Sequence, residues 1–183
     1  GRDPFQELTY QFALGLQAPI LEMMLRGIKI DRIDRESAEI ELSARLQKLG
    51  NLINLYAFAV WAKPLNPRSP KQLKEFFYQT MRLPEIWISQ KGVRKLSLNR
   101  EVLEKLEVYF HPRPIIAAIL AFRDTAKRLE VIRTEVDSDG RMRTSYNIGG
   151  TETGRLSSSA SATGSGTNLQ NITPELRRMF LAD

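Results

Sequence analysis

Two long stretches of helical hydrophobic periodicity constrain the fold of this 183-residue chain most strongly. In each stretch, apolar residues recur at steps of three or four, which places them on one face of an α-helix. The first set is Leu42, Leu46, Leu49, Ile53, Tyr56 and Val60, and the second is Ile115, Ile119, Phe122, Ala126, Leu129, Ile132 and Val136. Because such faces are buried by packing on each other, we expect an antiparallel helix pair, the stalk, over residues 32–62 and 112–136.

The segment between the two helices, residues 63–110, carries the net charge of the chain. Residues 63–105 contain ten Lys or Arg and four Glu, a net charge of +6 that equals the formal net charge of all 183 residues. Positive charge concentrated in this way is typical of a surface that contacts a phosphate backbone. A solvated, lysine-rich surface is the alternative.

Within this basic tip we predict two short helices joined by a basic turn. Ser69 followed by Pro70, with Gln72 three residues after the serine, is typical of a helix start. Residues 90–97 form the turn, and glycine at its centre allows close approach of a phosphate. The side chains that we expect to contact phosphates are Lys91, Arg94 and Lys95.

The segments outside the stalk are predicted to contain one helix and short strands. An apolar helix over residues 5–25 is expected to end at Gly27, and residues 28–31 to form a short strand. After the stalk, residues 137–140 are typical of a hairpin turn and residues 141–146 of an exposed or edge strand.

Groups that could support catalysis or bind a metal are few. The chain has no cysteine and a single histidine, His111, which lies at a helix junction without a partner motif. Asp137 and Asp139 have the spacing of a calcium loop, but the third ligand position and the closing Glu are missing. The serines at 157–159 have no candidate histidine base. We therefore predict neither a catalytic residue nor a metal site in these residues.

Two polar motifs near the C-terminal end carry the clearest functional signal. Thr153-Gly-Arg-Leu-Ser-Ser-Ser159 offers a guanidinium group beside a glycine and several hydroxyl groups, and Asn168-Leu-Gln-Asn171 offers three carboxamides around one leucine. Guanidinium and amide groups can reach acceptors in a DNA groove, while hydroxyl groups can bond phosphate oxygens. A solvated loop is the ordinary interpretation of such composition. Loop composition does not, however, explain Arg155, Asn168 or Gln170 at these positions.

In this order the motifs resemble the entry to the palm of family A DNA polymerases. Residues 21–31 resemble the segment that leads from the exonuclease-like domain into the thumb. Residues 63–73 resemble the thumb-tip motif, and residues 122–127 resemble the Tyr-Arg-Glu-x-x-Lys sequence of the returning thumb helix. The loop between residues 159 and 168 is longer than the Asp-Pro link of bacterial members and is similar to that of phage or other divergent members.

The resemblance implies a template-directed DNA polymerase that extends a primer 3′ end with the help of two magnesium ions. It implies that the thumb holds the primer–template duplex, mostly through its backbone, and that Arg155 reaches the minor groove near the primer terminus. Acceptors in that groove are similar for all base pairs, so such a contact does not depend on sequence. The other residues expected to contact DNA are Asn66, Ser69, Arg123, Lys127, Ser157, Ser158, Asn168, Gln170 and Asn171.

The sequence thus predicts a mainly α fold with a minor antiparallel β part (α+β). We expect a lead-in at 1–31, a thumb at 32–136 and the start of a palm at 137–183. The residues end before the first metal-binding Asp of the family, so we expect them to be inactive alone and to bind Mg²⁺ and dNTP only with the remaining palm and fingers.

We further expect a monomer that binds primer–template DNA inside the cell, in the cytoplasm or nucleoid or in a phage-infected cell, with an organelle left open. Two alternatives stay open from the residues alone. One is a non-enzymatic clamp for duplex nucleic acid, and the other is a helical interaction module without affinity for nucleic acid.

Overall fold

The structure, a computed structural model, describes residues 4–90, 92–151, 153–160 and 165–182. It divides into two compact units: unit 1 comprises residues 1–39 and 130–183, and unit 2 comprises residues 40–129. The described residues are mainly helical with three small antiparallel sheets, which confirms the predicted fold class. None of the helices in these ranges combines the length and the apolar character needed to cross a membrane.

The described residues form five α-helices and seven strands. The helices are α1 (Pro4–Arg26), α2 (Arg32–Trp61), α3 (Pro70–Lys74), α4 (Arg100–Leu106) and α5 (Arg113–Ile132). A π-helical segment (Glu75–Thr80) continues α3, and two 3₁₀ segments lie at Leu169–Asn171 and Pro174–Met179. The strands are β1 (Ile28–Ile30), β2 (Trp87–Gln90), β3 (Val93–Leu96), β4 (Arg141–Met142), β5 (Ser145–Asn147), β6 (Ser157–Ser159) and β7 (Phe180–Leu181).

Both stalk helices are present, but the second ends at Ile132 rather than at residue 136 as predicted, so Val136 lies beyond α5. In unit 2 they run antiparallel, because Gly50 of α2 lies near Phe122 of α5 while Tyr56, further along α2, donates a hydrogen bond to the carbonyl of His111. The prediction of which α2 residues are buried is wrong near the C-terminal end of the helix, where Val60 is exposed and Ala57 is fully buried instead. A pattern that repeats every seven residues drifts around a helix of 3.6 residues per turn, so the buried face has moved by this point.

The core of unit 2 shows how the basic tip, residues 63–110, folds. Two adjacent phenylalanines of the π-helical segment, Phe76 and Phe77, are fully buried, and their rings pack edge to face with centroids 5.2 Å apart. Around them lie fully buried side chains from α2, α3, α4 and α5: Ile53, Ala57, Leu73, Val102, Leu103, Leu106, Ile116 and Ile119. The segment between the stalk helices is therefore a folded part of unit 2 that shares one core with α2 and α5.

Strands in two places differ from the prediction. The predicted basic turn at 90–97 is part of an antiparallel hairpin, β2–β3, in which Ile88 and Leu96 pack against the core. The single strand predicted at 141–146 is also wrong, since β4 pairs with β1 whereas β5 pairs with β6. Thr144 lies between these two strands, is buried, and donates to the Ser159 carbonyl at 2.7 Å.

Unit 1 is built around the three-stranded sheet β4-β1-β7. Gly27 ends α1 as predicted, with φ of +63°, and β1 follows at once. A turn is present at residues 137–140, where the Gly140 amide donates to the Asp137 carbonyl at 2.9 Å. The predicted hairpin is nevertheless wrong, because β4 after this turn pairs with the distant strand β1. The buried side chains of this unit include Ile20, Ile30, Ile132, Met142, Leu176 and Met179.

Candidate nucleic-acid interface

The β2–β3 hairpin of unit 2 presents cations and an aromatic ring to solvent. Arg94 and Lys95 are exposed, and neither forms an ion pair with any residue that the structure describes. Cross-strand partners share a face of a hairpin, and so do alternate residues of a strand. Trp87 pairs with Leu96 across the hairpin, and Ser89 pairs with Arg94. Trp87, which is 49% exposed, therefore lies on the same face of the hairpin as Arg94. Lys91, predicted to act with them, falls outside the described residues.

A groove of about 350 Å³ adjoins the base of this hairpin. Its cationic lining residues are Lys74, Lys95 and Arg123, and its polar ones include Ser97 and Asn99. Asn99 caps α4 by accepting a hydrogen bond from the Val102 amide at 3.0 Å. Three cations around one groove give unit 2 a positive surface that an anion can approach.

Arg123, one of these cations, is held by the protein itself. Its Nε donates to the Pro67 carbonyl at 3.2 Å, and its Nη1 donates to the Leu98 carbonyl at 2.9 Å. Burial lowers the pKa of Arg123, and the nearby Arg100 lowers it further. Arg123 therefore links α5 to the backbone just before α3 and to the backbone just before α4. Lys127, one turn further along α5, is exposed.

Asn66 and Ser69 also make local structure. The Asn66 side chain accepts from the Arg68 amide at 2.9 Å, and Ser69 Oγ accepts from the Gln72 amide at 3.3 Å. Gln72 Oε1 accepts from the backbone amide of Asn66 at 2.8 Å, not from that of Ser69. The cap that Ser69 Oγ provides confirms the predicted start of α3. The side-chain donors, Asn66 Nδ2 and the Ser69 hydroxyl, form no hydrogen bond within the described ranges.

In unit 1, the two polar motifs are joined to each other. Ser158 Oγ donates to Asn168 Oδ1, which also accepts from the Gln170 amide at 3.0 Å. Gln170 Nε2 donates to the Leu156 carbonyl at 3.0 Å. The second motif therefore holds the first one on both sides of Ser157.

Arg155 precedes this joined region and is exposed. Its carbonyl accepts from Thr151 Oγ1 at 2.7 Å, whereas its guanidinium group bonds no described residue. Ser157 lies in β6 opposite Asn147, and Asn171, at the end of the second motif, is exposed. Thr153, Arg155 and Asn171 are thus the members of the two motifs whose polar side chains are both exposed and uncommitted among the described residues.

A carboxylate–arginine cluster in the same unit was not predicted from the sequence. Arg143 pairs with Asp137 at 2.5 Å and with Asp139 at 2.6 Å, and its Nε donates to the Leu25 carbonyl at 2.7 Å. Ser165 Oγ bonds Asp137 at 2.8 Å. The hydrogen bonds from Arg143 hold the pKa of both carboxyl groups below the ordinary range, and Ser165 adds to the effect at Asp137. The spacing of four residues between Asp139 and Arg143 is the sequence feature from which this ion pair could have been predicted.

The magnesium ions that the resemblance implies do not fit this cluster. Both carboxylates are already paired with the one guanidinium group of Arg143, which lies where a cation would have to bind. Nowhere in the described ranges do three His, Asp or Glu side chains converge as they would around a metal ion. We therefore derive no step of chemistry through a metal in these residues.

Acid is expected to weaken unit 1 through this cluster. Because the pKa values of Asp137 and Asp139 are lowered in the folded chain, their stabilisation is complete above the unfolded value of about 4 and is lost as the pH falls through the folded values. We expect Asp137→Asn to be less stable than the unchanged chain at pH 7, with a weaker decline below about pH 4. Urea unfolding followed by circular dichroism at both pH values measures this.

The control for that experiment is Glu22→Gln, which removes a solvent-exposed carboxylate paired with Arg26 within α1. Exposed pairs of this kind contribute little to stability. An Asp137→Asn variant with the same pH dependence as the unchanged chain would contradict the role given to Arg143.

Comparison with known proteins places the chain in a family. The sequence model of DNA polymerase family A matches residues 35–183. The chain is 29% identical over 197 aligned residues to a thermostable DNA polymerase I of Thermus caldophilus, covering 100% of this chain and 22% of that protein. It is 32% identical over 160 residues to DNA polymerase I of Caldicellulosiruptor bescii, covering 84% of this chain and 17% of that protein.

A solved structure agrees with these relatives. The POL domain of Pol1 from M. smegmatis, in complex with DNA primer-template and dNTP, is 28% identical, with a TM-score of 0.72 over 91% of this chain and 28% of that one. The chain therefore belongs to DNA polymerase family A, as the sequence motifs predicted. It spans about a fifth of the length of the curated relatives named above.

Proposed function

We propose that these residues form the thumb and the first part of the palm of a template-directed DNA polymerase. In this role they hold the primer–template duplex while the longer protein adds deoxynucleotides to the primer 3′ end. Arg94 and Lys95 of the β2–β3 hairpin, exposed and without an ion-pair partner among the described residues of a chain of this family, support the proposal most directly. The relative from M. smegmatis is a polymerase domain in complex with a primer-template and dNTP, which supports the same partners here.

The proposed domains follow from the predicted boundaries. The thumb, residues 32–136, consists of unit 2 and the adjoining ends of α2 and α5, and the start of the palm, residues 137–183, lies in unit 1. The lead-in, residues 1–31, contains α1 and β1. In this division the hairpin cations belong to the thumb, and Arg155 belongs to the palm.

We expect the thumb to bind the duplex mainly through electrostatic attraction. Arg94 and Lys95, together with Lys91, neutralise backbone phosphates and release the counterions condensed on them, so affinity falls as salt rises. Lys127 adds a further cation on α5. Asn66 and Ser69 have donors left for phosphate oxygens after their local bonds are made, whereas Arg123 acts mainly by holding the segment that carries the hairpin.

Contacts from the palm are expected to be fewer and to lie nearer the primer terminus. Arg155 donates to minor-groove acceptors, which are similar for every base pair. Asn171, Ser157 and Ser158 supply further polar groups beside it. Such contacts detect the shape of a base pair without selecting its sequence, as a template-directed enzyme requires.

We also propose that the 183 residues do not extend a primer by themselves. Two-metal nucleotidyl transfer requires carboxylates that hold both ions, and the described residues bring no such set together. A primer-extension assay with Mg²⁺ and all four dNTPs should show no product under conditions where the duplex is bound. Extension by the purified chain would contradict this part of the proposal.

Binding of a fluorescently labelled primer–template duplex across a salt series tests the proposed function. We expect affinity that falls steeply with salt, and an Arg94→Ala/Lys95→Ala variant whose log–log salt slope is smaller by about two units. The matched control is Lys48→Ala/Lys105→Ala, which removes the same charge from exposed positions of unit 2 outside the hairpin. Equal losses in both variants, or no binding at low salt, would overturn the hairpin as the duplex contact.

A further inference from the structure

We infer that Arg82 is a further DNA-binding residue of unit 2, and that its guanidinium group binds a backbone phosphate of the duplex beside the β2–β3 hairpin. The inference deepens the proposed function and rests on it for the identity of the ligand. Three features of Arg82 support it: its backbone conformation, its uncommitted side chain and its attachment to the base of the hairpin.

Arg82 has a backbone conformation that favours glycine. Its φ is +53°, and Ala62 is the only other non-glycine residue with a positive φ among the residues that the structure describes. Arg82 directly follows Met81, the C-cap of the π-helical segment, at a position where helices commonly carry glycine in the left-handed conformation. Arginine at this position therefore has a conformational cost that glycine would avoid.

The side chain of Arg82 makes no polar interaction that would offset this cost. It is exposed, and it forms neither a hydrogen bond nor an ion pair with any described residue. Glu85, three residues further along the chain, is also exposed and is not paired with it. A guanidinium group that has no carboxylate partner can donate two parallel hydrogen bonds to one phosphate. The left-handed position thus presents a cation that is available to an external anion.

The segment that carries Arg82 is fixed to the base of the hairpin at both ends. The Tyr78 hydroxyl donates to the carbonyl of Ser97 at 2.7 Å, and the Ser97 amide donates to the carbonyl of Ile86 at 3.4 Å. Arg82 lies midway between Tyr78 and Ile86 in the sequence, and the next residue, Leu83, is buried in the core of unit 2. Ser97 also lines the groove described above, so Arg82 is held next to the positive surface of unit 2.

The substitution Arg82→Gly separates the charge of this residue from any role in the fold. Glycine relieves the left-handed conformation, so the urea midpoint of unfolding should not fall. If Arg82 binds a phosphate, the log–log salt slope of primer–template affinity becomes smaller by about one unit. Arg82→Lys retains the positive charge and should retain the slope.

Two control variants are matched to this substitution. Ala62→Gly changes a residue with φ of +57° and no charge, so it should leave duplex affinity and its salt slope unchanged. Lys48→Ala removes one exposed positive charge of unit 2 outside the hairpin, and its slope should remain that of the unchanged chain. Together they separate the effects of backbone conformation and of total charge from a phosphate contact.

The outcomes distinguish this inference from the proposed function. A full slope in Arg82→Gly, beside the expected decrease in Arg94→Ala/Lys95→Ala, would overturn the role of Arg82 and leave the proposed function standing. An equal decrease in Lys48→Ala, or a lower urea midpoint in Arg82→Gly, would also overturn that role, because total charge or the fold would then be the cause. Absence of duplex binding by the unchanged chain at low salt would contradict the proposed function and, with it, the phosphate contact of Arg82.

Discussion

Gly166→Ala is expected to destabilise unit 1 by about 3 kcal/mol or more. Gly166 has φ of +74°, a left-handed conformation that costs a residue with a side chain about 1–2 kcal/mol. A Cβ atom there would also lie 1.9 Å from the carbonyl oxygen of Arg143 and 2.9 Å from its carbonyl carbon. Because these are backbone atoms, they cannot turn aside as a flexible side chain can. Relief requires displacement of the segment that carries the carboxylate–arginine cluster.

Gly140→Ala is the matched control for this substitution. Gly140 has nearly the same conformation, with φ of +76°, but a Cβ atom there meets nothing within 4 Å. We expect it to cost only the conformational penalty of about 1–2 kcal/mol. Urea unfolding of both variants measures the difference, which is the cost of the steric conflict alone. Equal stabilities would show that residues 143 and 166 do not approach each other as described.

Replacement of Arg123 by methionine is expected to have the second largest effect, a loss of about 2–4 kcal/mol in the stability of unit 2. The change leaves the carbonyls of Pro67 and Leu98, both buried residues, without their hydrogen bonds. An unsatisfied buried acceptor costs about 1–3 kcal/mol. Methionine keeps much of the volume and length of the arginine side chain, so packing changes little.

Lys127→Ala is the comparison that separates stability from binding. Lys127 is exposed, so its loss should change stability by less than about 0.5 kcal/mol while weakening duplex binding. Chemical denaturation and duplex titration of both variants give the two quantities. A stable Arg123→Met variant with weak DNA binding would show that Arg123 acts on phosphates instead of holding the thumb segment together.

Periodicity along the chain was sufficient to predict the helical frame. Of the apolar face predicted for α5, Ile115, Ile119, Ala126, Leu129 and Ile132 are buried, whereas Phe122 is only partly buried and Val136 lies beyond the end of the helix. The start of α3 at Ser69 was equally predictable, because the capping residues are neighbours in sequence. These features depend on local spacing, which a sequence displays directly.

The β2–β3 hairpin and the hydrogen bonds that join the two polar motifs were not predictable in the same way. Val93, Arg94 and Lys95 are all exposed, so β3 lacks the alternation that marks a half-buried strand. Likewise, nothing local indicates that Gln170 bonds the carbonyl of Leu156, or that Arg143 bonds that of Leu25. Such contacts depend on which distant segments meet, and the resemblance to a family named these residues without revealing their partners.

The emission of Trp87 on addition of a primer–template duplex tests the central claim most directly. The chain has two tryptophans, so Trp61→Phe leaves Trp87, on the face of the hairpin that carries Arg94, as the sole reporter. If the hairpin holds the duplex, Trp87 emission changes in proportion to the fraction bound, and added salt reverses the change. Duplex binding that leaves the emission of Trp87 unaltered would contradict the claim that this hairpin is the part of the thumb that grips DNA.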